Sequence, residues 1–326
     1  MDLRSAAVRC RPTWPQLRLA TVMAAFLALL PVQSRAADAS AAIVADLTSG
    51  QVLFSQAAEE PRYPASLTKM MTLYLLFEDL ERRRYSLDSS LLVSEYAAAQ
   101  TPTKLGLQSG ETIRVDEAIR ALVTHSANDA AVAIAENLEG SEPAFAARMT
   151  RAAHQLGMSS TQFRNASGLS HPEQYSTARD MVLLGAALQA HFPRYFAYFK
   201  ADSFTFRGRS YKNHNRLLGR VDGVDGIKTG YTRASGFNLV TSVRRGGRTF
   251  VAVVMGWPTA KSRDQQMEYL IGSYLPGASV ASAAEPKRPE RLEKTQARVG
   301  SRDTSPPSPY TTSSPPKIRA ASALSP

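Results

Sequence analysis

The chain has 326 residues, enough for one large domain or two small ones, and its hydrophobic (44%) and charged (21%) fractions fit a folded protein, not a coiled coil or a wholly disordered chain. A single cysteine, Cys10, excludes an intrachain disulfide and a cysteine-cluster metal site, and the five histidines form no H-E-x-x-H pair, which argues against a zinc peptidase. The net charge of +11 does not mark a nucleic-acid binder, because residues 37–278 hold 26 basic and 23 acidic side chains, a net of only +3, and the surplus lies at the two ends.

At the N-terminus, Arg4, Arg9, Arg11 and Arg18 precede an apolar run from Leu19 to Leu30, which Pro31 ends. A run of twelve residues is too short to span a bilayer. The pattern predicts a secretory signal peptide over residues 1–36, cleaved after Ala36, with Ala39 as the alternative. Export without disulfides fits a periplasmic, soluble protein. Ala41–Asp46 and Val52–Ser55 read as two strands of a hairpin around Thr48-Ser49-Gly50. Leu67, Met70, Met71, Leu73, Tyr74, Leu76 and Phe77 then recur at helical spacing, predicting a central buried helix that ends at Glu81-Arg82-Arg83-Arg84.

Helical patterns dominate from Leu91 to Leu188. Glu117–Val123 with Asp116 as N-cap, Asp129–Leu138, Glu142–Leu156 and Thr177–Leu188 are predicted helices, and Gly140 and Gly157 end the second and third. Short strands are predicted at Leu91–Ser94 and Thr112–Val115. Beyond Phe192 the alternation of strands returns at Ser203–Phe206, Phe237–Val243 and Thr249–Met255, the last two joined through Gly246-Gly247. Arg263–Tyr274 reads as a closing amphipathic helix. This order predicts an α/β (α+β) domain over 37–278, in which strands from both ends share one antiparallel sheet around an inserted helical block. Residues 279–326 are rich in proline and serine, basic and poor in large apolar side chains, and are predicted to be disordered.

Three short motifs carry chemistry. In Ser66-Leu67-Thr68-Lys69 the lysine stands three residues after the serine, where a capping box would place Glu or Gln. A cation near a helix N-terminus opposes the dipole, so the position favours a neutral amine that can take the Ser66 proton. Ser126-Ala127-Asn128 lies between two predicted helices. There Ser126 would relay protons, and Asn128 would hold a substrate carbonyl or orient Lys69. Lys228-Thr229-Gly230 opens the second β-rich region. Lys228 would lower the Lys69 pKa further, Thr229 would bind a carboxylate, and Gly230 would let a substrate backbone lie against the strand.

The ordered set Ser-x-x-Lys, Ser-x-Asn, Lys-Thr-Gly resembles that of the penicillin-binding proteins and class A β-lactamases. The segments 64–72, 165–169, 213–218 and 225–232 resemble the low-molecular-mass penicillin-binding proteins, the serine-type D-Ala-D-Ala carboxypeptidases of the peptidase S11-like family. The resemblance covers Ala37 to Leu275. It implies a β-lactamase/transpeptidase-like fold, with a five-stranded antiparallel sheet flanked by helices and an inserted helical subdomain. It further implies Ser66 as acylated nucleophile, Lys69 as its base and Ser126 as the third catalytic residue. Asn128, Lys228, Thr229, Gly230, Tyr231 and Arg263 would bind substrate, with the backbone N–H groups of Ser66 and Tyr231 as oxyanion hole. The implied substrate is a peptidoglycan stem peptide, the implied inhibitors are β-lactams, and neither metal nor cofactor is required.

Many family members carry a second β-rich domain and an amphipathic membrane-binding helix. The tail here has no amphipathic face, so no clear membrane anchor is expected. A class A β-lactamase would need a Glu followed three residues later by Asn, and the segment after Ser126 offers none. A D,D-endopeptidase that cleaves cross-links remains open. A non-catalytic binding module would not be expected to keep Ser66, Lys69 and Lys228. His125, His154, His171 and His191 read as structural or surface residues, and no role is assigned to His214.

Overall fold

The structure is a computed structural model that describes residues 40–275. The predicted leader (1–36) and tail (279–326) lie outside the described residues.

Strand β1 (Ala41–Asp46) is buried at every position, as a strand flanked on both edges and covered on both faces must be. It pairs with β2 (Gln51–Gln56) and with a strand from the far end of the domain. A single 3-10 turn, Ala65–Thr68, leads into helix α1 (Lys69–Glu81). Strand β3 (Ser90–Leu92), the one-turn α2 (Glu95–Ala98) and strand β4 (Thr112–Arg114) follow, with β3 and β4 paired. The helical block continues with α3 (Val115–Arg120), a π-helical turn (Ala121–His125), α4 (Asn128–Glu139) and α5 (Glu142–Gln155). Then come α6 (Ala178–His191), the one-turn α7 (Pro193–Phe196) and the small hairpin β5 (Ser203–Phe206) with β6 (Arg209–Lys212). Strands β7 (Val224–Thr232), β8 (Gly236–Arg245) and β9 (Arg248–Trp257) precede the closing helix α8 (Ala260–Tyr274).

The main sheet has five strands in the order β2-β1-β9-β8-β7, all pairs antiparallel. One face carries Ile43, Val251 and Val253 against the helical block, and the other carries Val44, Phe250 and Val254 against Met267, Leu270 and Ile271 of α8. The predicted architecture is therefore observed, including the two-residue turn at Gly246-Gly247. Both glycines have positive φ (58° and 72°), as a hairpin turn matching the twist of its strands requires.

Two expectations need correction. Asp116 does not cap a helix over Glu117–Val123. The helix springs directly from β4 at the buried Val115, and it gives way to the π-helical turn after Arg120. Asp116 sits in the first turn, where it accepts hydrogen bonds from Arg120 (2.8 Å) and Tyr198 (2.5 Å). Strand β6 went unpredicted because its sequence, Arg-Ser-Tyr-Lys, buries only Tyr211.

Helix α1 is the hub. Eleven of its thirteen residues are buried, among them Met70, Met71, Leu73, Leu76 and Phe77. Each such side chain contributes roughly 1.5–3 kcal/mol on burial, so the helix that begins at Lys69 is held firmly in place. Among the described residues no helix is long and apolar enough to cross a membrane.

Candidate active site

The three motifs, 162 residues apart from first to last, meet on one cleft of about 660 Å³. Ser66, Ser126, Asn128, Thr229, Gly230, Tyr231 and Arg263 line it, while Lys69 and Lys228 lie buried beneath, 0% and 2% exposed.

Ser66 lies inside the 3-10 turn and caps no helix, which removes the ordinary reason for a serine there. The turn includes Ala65 at φ +49°, a costly conformation for a residue with a β-carbon, so its surroundings must hold it. Two neighbours do so. Asn238 of β8 donates to the carbonyls of Tyr63 (3.0 Å) and Pro64 (3.1 Å). Gly230 of β7 packs so closely that a β-carbon there would stand 2.9 Å from the Pro64 oxygen and 3.2 Å from the Ser66 and Leu67 nitrogens. This adds a reason for glycine that the sequence does not show: the missing side chain at position 230 makes room for the Ser66 turn, and the residue also lines the cleft.

The Lys69 amine has three neighbours: Ser66 Oγ at 3.3 Å, Asn128 Oδ1 at 2.7 Å and the carbonyl oxygen of Ser167 at 2.5 Å. The last two can only accept. A neutral amine has two N–H bonds and one lone pair, so with two acceptors engaged its lone pair is left for the Ser66 hydroxyl. Burial, and after it the Lys228 cation, hold the Lys69 pKa well below its usual value, with Asp129 and Glu142 opposing more weakly. The geometry and the electrostatics thus favour the same neutral form. Of the two roles expected for Asn128, orienting Lys69 is the one its carbonyl oxygen performs. Its Nδ2 donates to Thr101 O at 2.8 Å.

Ser126 adopts the left-handed region (φ 61°, ψ 37°) where the π-helical turn ends. Its hydroxyl is buried and has no hydrogen-bond partner among the described residues. A buried hydroxyl in that state is costly unless a molecule in the cleft engages it. On the opposite wall, burial and then Arg263 push the Lys228 amine down to about 7. Arg263 is 4% exposed, so it is not a solvated residue on the outer face of α8. It is oriented by Asp264 (2.7 and 2.9 Å) and by the Asn238 carbonyl (3.4 Å). His214 also lines the cleft, and burial, with Lys228 next, pushes its pKa down to about 4, so it is a neutral imidazole at pH 7.

Several contributors carried no signal in the three motifs. Ser167 acts through its backbone carbonyl, which no side-chain pattern reveals. The loop that presents it is fixed by Thr72 Oγ1 donating to Ala166 O (2.7 Å), by Ala166 N donating to Glu142 (2.9 Å) and by Gly168 N donating to Asn165 (2.7 Å). Asp129 accepts from the backbone N–H groups of Leu105, Gly106 and Leu107 at 2.8–3.1 Å, and so shapes the loop on the far side of the cleft. Among the described residues no group of three or more His, Cys, Asp or Glu side chains is placed to hold a metal ion.

The sequence profile of the Peptidase S11 family, D-alanyl-D-alanine carboxypeptidase, matches residues 30–259. The chain belongs to this family. It is 35% identical over 262 residues to the D-alanyl-D-alanine carboxypeptidase DacD of Salmonella typhimurium, covering 78% of this chain and 67% of that one. It is 37% identical over 254 residues to DacC of Escherichia coli, covering 76% of this chain and 64% of the relative. The chain thus spans about two-thirds of the length of these members. Its structure resembles penicillin-binding protein 5 from Haemophilus influenzae, with a TM-score of 0.69 and 33% identity over 71% of this chain and 69% of that one. It also resembles penicillin-binding protein D2 from Listeria monocytogenes in its ampicillin-bound form, with a TM-score of 0.62 and 33% identity over 71% and 94% of the two chains. The family's fold is the transpeptidase-like one expected from the motifs.

Proposed function

We propose that the protein is a serine-type D-Ala-D-Ala carboxypeptidase that removes the terminal D-Ala from peptidoglycan stem peptides. The observation that carries this reading is the Lys69 amine, buried and already engaged by two carbonyl oxygens, 3.3 Å from Ser66 Oγ. Ser66 attacks the carbonyl of the penultimate D-Ala and its proton passes to Lys69. The backbone N–H groups of Ser66 and Tyr231 take the developing oxyanion. Lys69 returns the proton to the departing amine by way of the Ser126 hydroxyl, which the cleft leaves without a protein partner. D-Ala leaves, and water, deprotonated by Lys69, hydrolyses the acyl-enzyme.

Lys228, Thr229 and Arg263 bind the terminal carboxylate. Lys228 has a second effect, since its charge also favours a neutral Lys69. A β-lactam enters by the same route: its strained amide acylates Ser66, and its carboxylate takes the place of the substrate's. Residues 1–36 direct export to the periplasm, residues 37–278 form the catalytic domain, and residues 279–326 form a basic tail.

The test is release of free D-Ala from a stem peptide ending in D-Ala-D-Ala, by the protein and by its Ser66→Ala variant. Release by the first alone supports the reading. Cleavage of cross-linked muropeptides without release of terminal D-Ala would replace it with an endopeptidase.

A further inference from the structure

A second cavity, of about 710 Å³, adjoins the cleft and shares Tyr231 with it. Its walls include Tyr63, Tyr175, Trp257 and Arg233, and no carboxylate side chain lines it. Six large apolar or aromatic side chains are exposed among the described residues, and three of them, Tyr63, Tyr175 and Tyr231, gather here. Exposed aromatic rings grouped in one concavity mark a binding surface. The ring of Tyr231 is held by stacking on Phe237 at 4.1 Å between centroids, so the wall between the two cavities is preformed.

Charge sets the direction in which a bound peptide runs. The cations that face the cleft from β7 and α8, Lys228 and Arg263, hold the C-terminal carboxylate. The rest of the peptide then extends the other way, along the unpaired edge of β7 past Tyr231 and Thr232 to Arg233. Strand β7 ends at Thr232 and Arg233 opens the turn beyond it, and three residues of an extended peptide laid from Gly230 toward that turn cover about 10 Å. The residue acylated on Ser66 is the fourth of a stem pentapeptide, so the residue beside Arg233 is the first, the one joined to the glycan. A pyranose ring has an apolar C–H face that an aromatic ring desolvates, and a rim of hydroxyls that Tyr, Trp and Arg donors can bond.

We infer that the Tyr63–Tyr175–Trp257 cavity is a saccharide subsite that holds the amino sugar at the head of the stem peptide. The inference rests on the carboxypeptidase reading for the direction of the chain. Calorimetric titration of the Ser66→Ala protein with a disaccharide pentapeptide and with the free pentapeptide tests it. The sugar-linked ligand is expected to bind about tenfold tighter. Tyr175→Ala and Tyr63→Ala, each made in that background, should erase the difference while leaving the free-peptide affinity unchanged. Equal affinity for the two ligands overturns the subsite, as does a preference that survives both substitutions. The carboxypeptidase reading has its own readout, D-Ala release from either peptide by the unsubstituted protein. A sugar preference without such release keeps the subsite and removes the assigned reaction.

Discussion

A β-carbon on Gly168 would lie 1.9 Å from the carbonyl oxygen of Ala65, the residue before the proposed nucleophile. The Ser167 loop and the Ser66 turn are therefore in direct backbone contact, and Gly168 is held at φ +85°, a region that side chains disfavour. Both facts require glycine. Gly168→Ala is expected to push the loop off the turn and withdraw the Ser167 carbonyl from Lys69. Acylation by a fluorescent penicillin should slow at least 100-fold, with the far-ultraviolet circular dichroism preserved. A rate within threefold of the parent would show that the contact does not position the serine.

Lys228→Met should stabilise the protein and inactivate it. The buried amine of Lys228 is pushed down to about 7 from the ordinary 10.5. Between these values the unfolded chain binds the extra proton, so stability rises with pH across that window and this cost is greatest below it. Removing the amine should raise the melting temperature at pH 6 by several degrees and by much less at pH 10. Calorimetry at the two pH values checks this, and an equal gain at both would count against it. For the unsubstituted enzyme, KM should rise as pH passes about 7, because the substrate carboxylate loses one of its cations.

Asp129 ties three backbone N–H groups of residues 105–107, and the neighbouring Thr101 carbonyl accepts from Asn128. Asp129→Asn turns an acceptor oxygen into an NH₂ that faces donors. A cost of about 1–3 kcal/mol is expected. The freed loop should raise KM several-fold while the penicillin acylation rate at saturation changes less. A lower kcat at constant KM would place the effect on Lys69 instead.

Arg148 joins Glu78, Asp79 and Glu139 at 2.8–3.0 Å, and the side chain of Asp79 is only 2% exposed. Its loss leaves this nearly buried carboxylate with the exposed Arg84, at 3.3 Å, as its remaining ion-pair partner among the described residues. Arg148→Ala should cost on the order of 3 kcal/mol, roughly a 10 °C fall in melting temperature, while kcat/KM measured well below the transition stays the same. Thermal denaturation paired with an activity assay separates the two.

The motif side chains were legible in the sequence because side-chain chemistry at fixed spacing is itself the signal. So was the sheet, since β1, β8 and β9 read as apolar runs and Gly246-Gly247 supplies the turn. Other features were not legible, each for its own reason. Ser167 contributes a carbonyl that every residue possesses. Gly230 and Gly168 are glycine because of backbone approached from elsewhere in the chain, and only the folded arrangement reveals what approaches. The orientation of Arg263 depends on the Asn238 carbonyl of β8, a partner distant in sequence, and not on the periodicity of α8. Asn238 itself, which anchors the Ser66 turn, sits within a predicted strand with nothing local to distinguish it.

Strand β1 pairs with β9, joining Ala41 to Met255 across most of the domain. Contacts this distant in sequence close late, because the loop entropy must be overcome before they contribute. Gly230 and Asn238, which hold the Ser66 turn, also come from the last third of the domain. A chain still emerging during its synthesis therefore carries the proposed serine and lysine without the two groups that hold their turn. The turn that carries Ser66 gains these two supports only from the final strands, so a nascent chain is expected to hold the proposed nucleophile without them until the last third of the domain has been made.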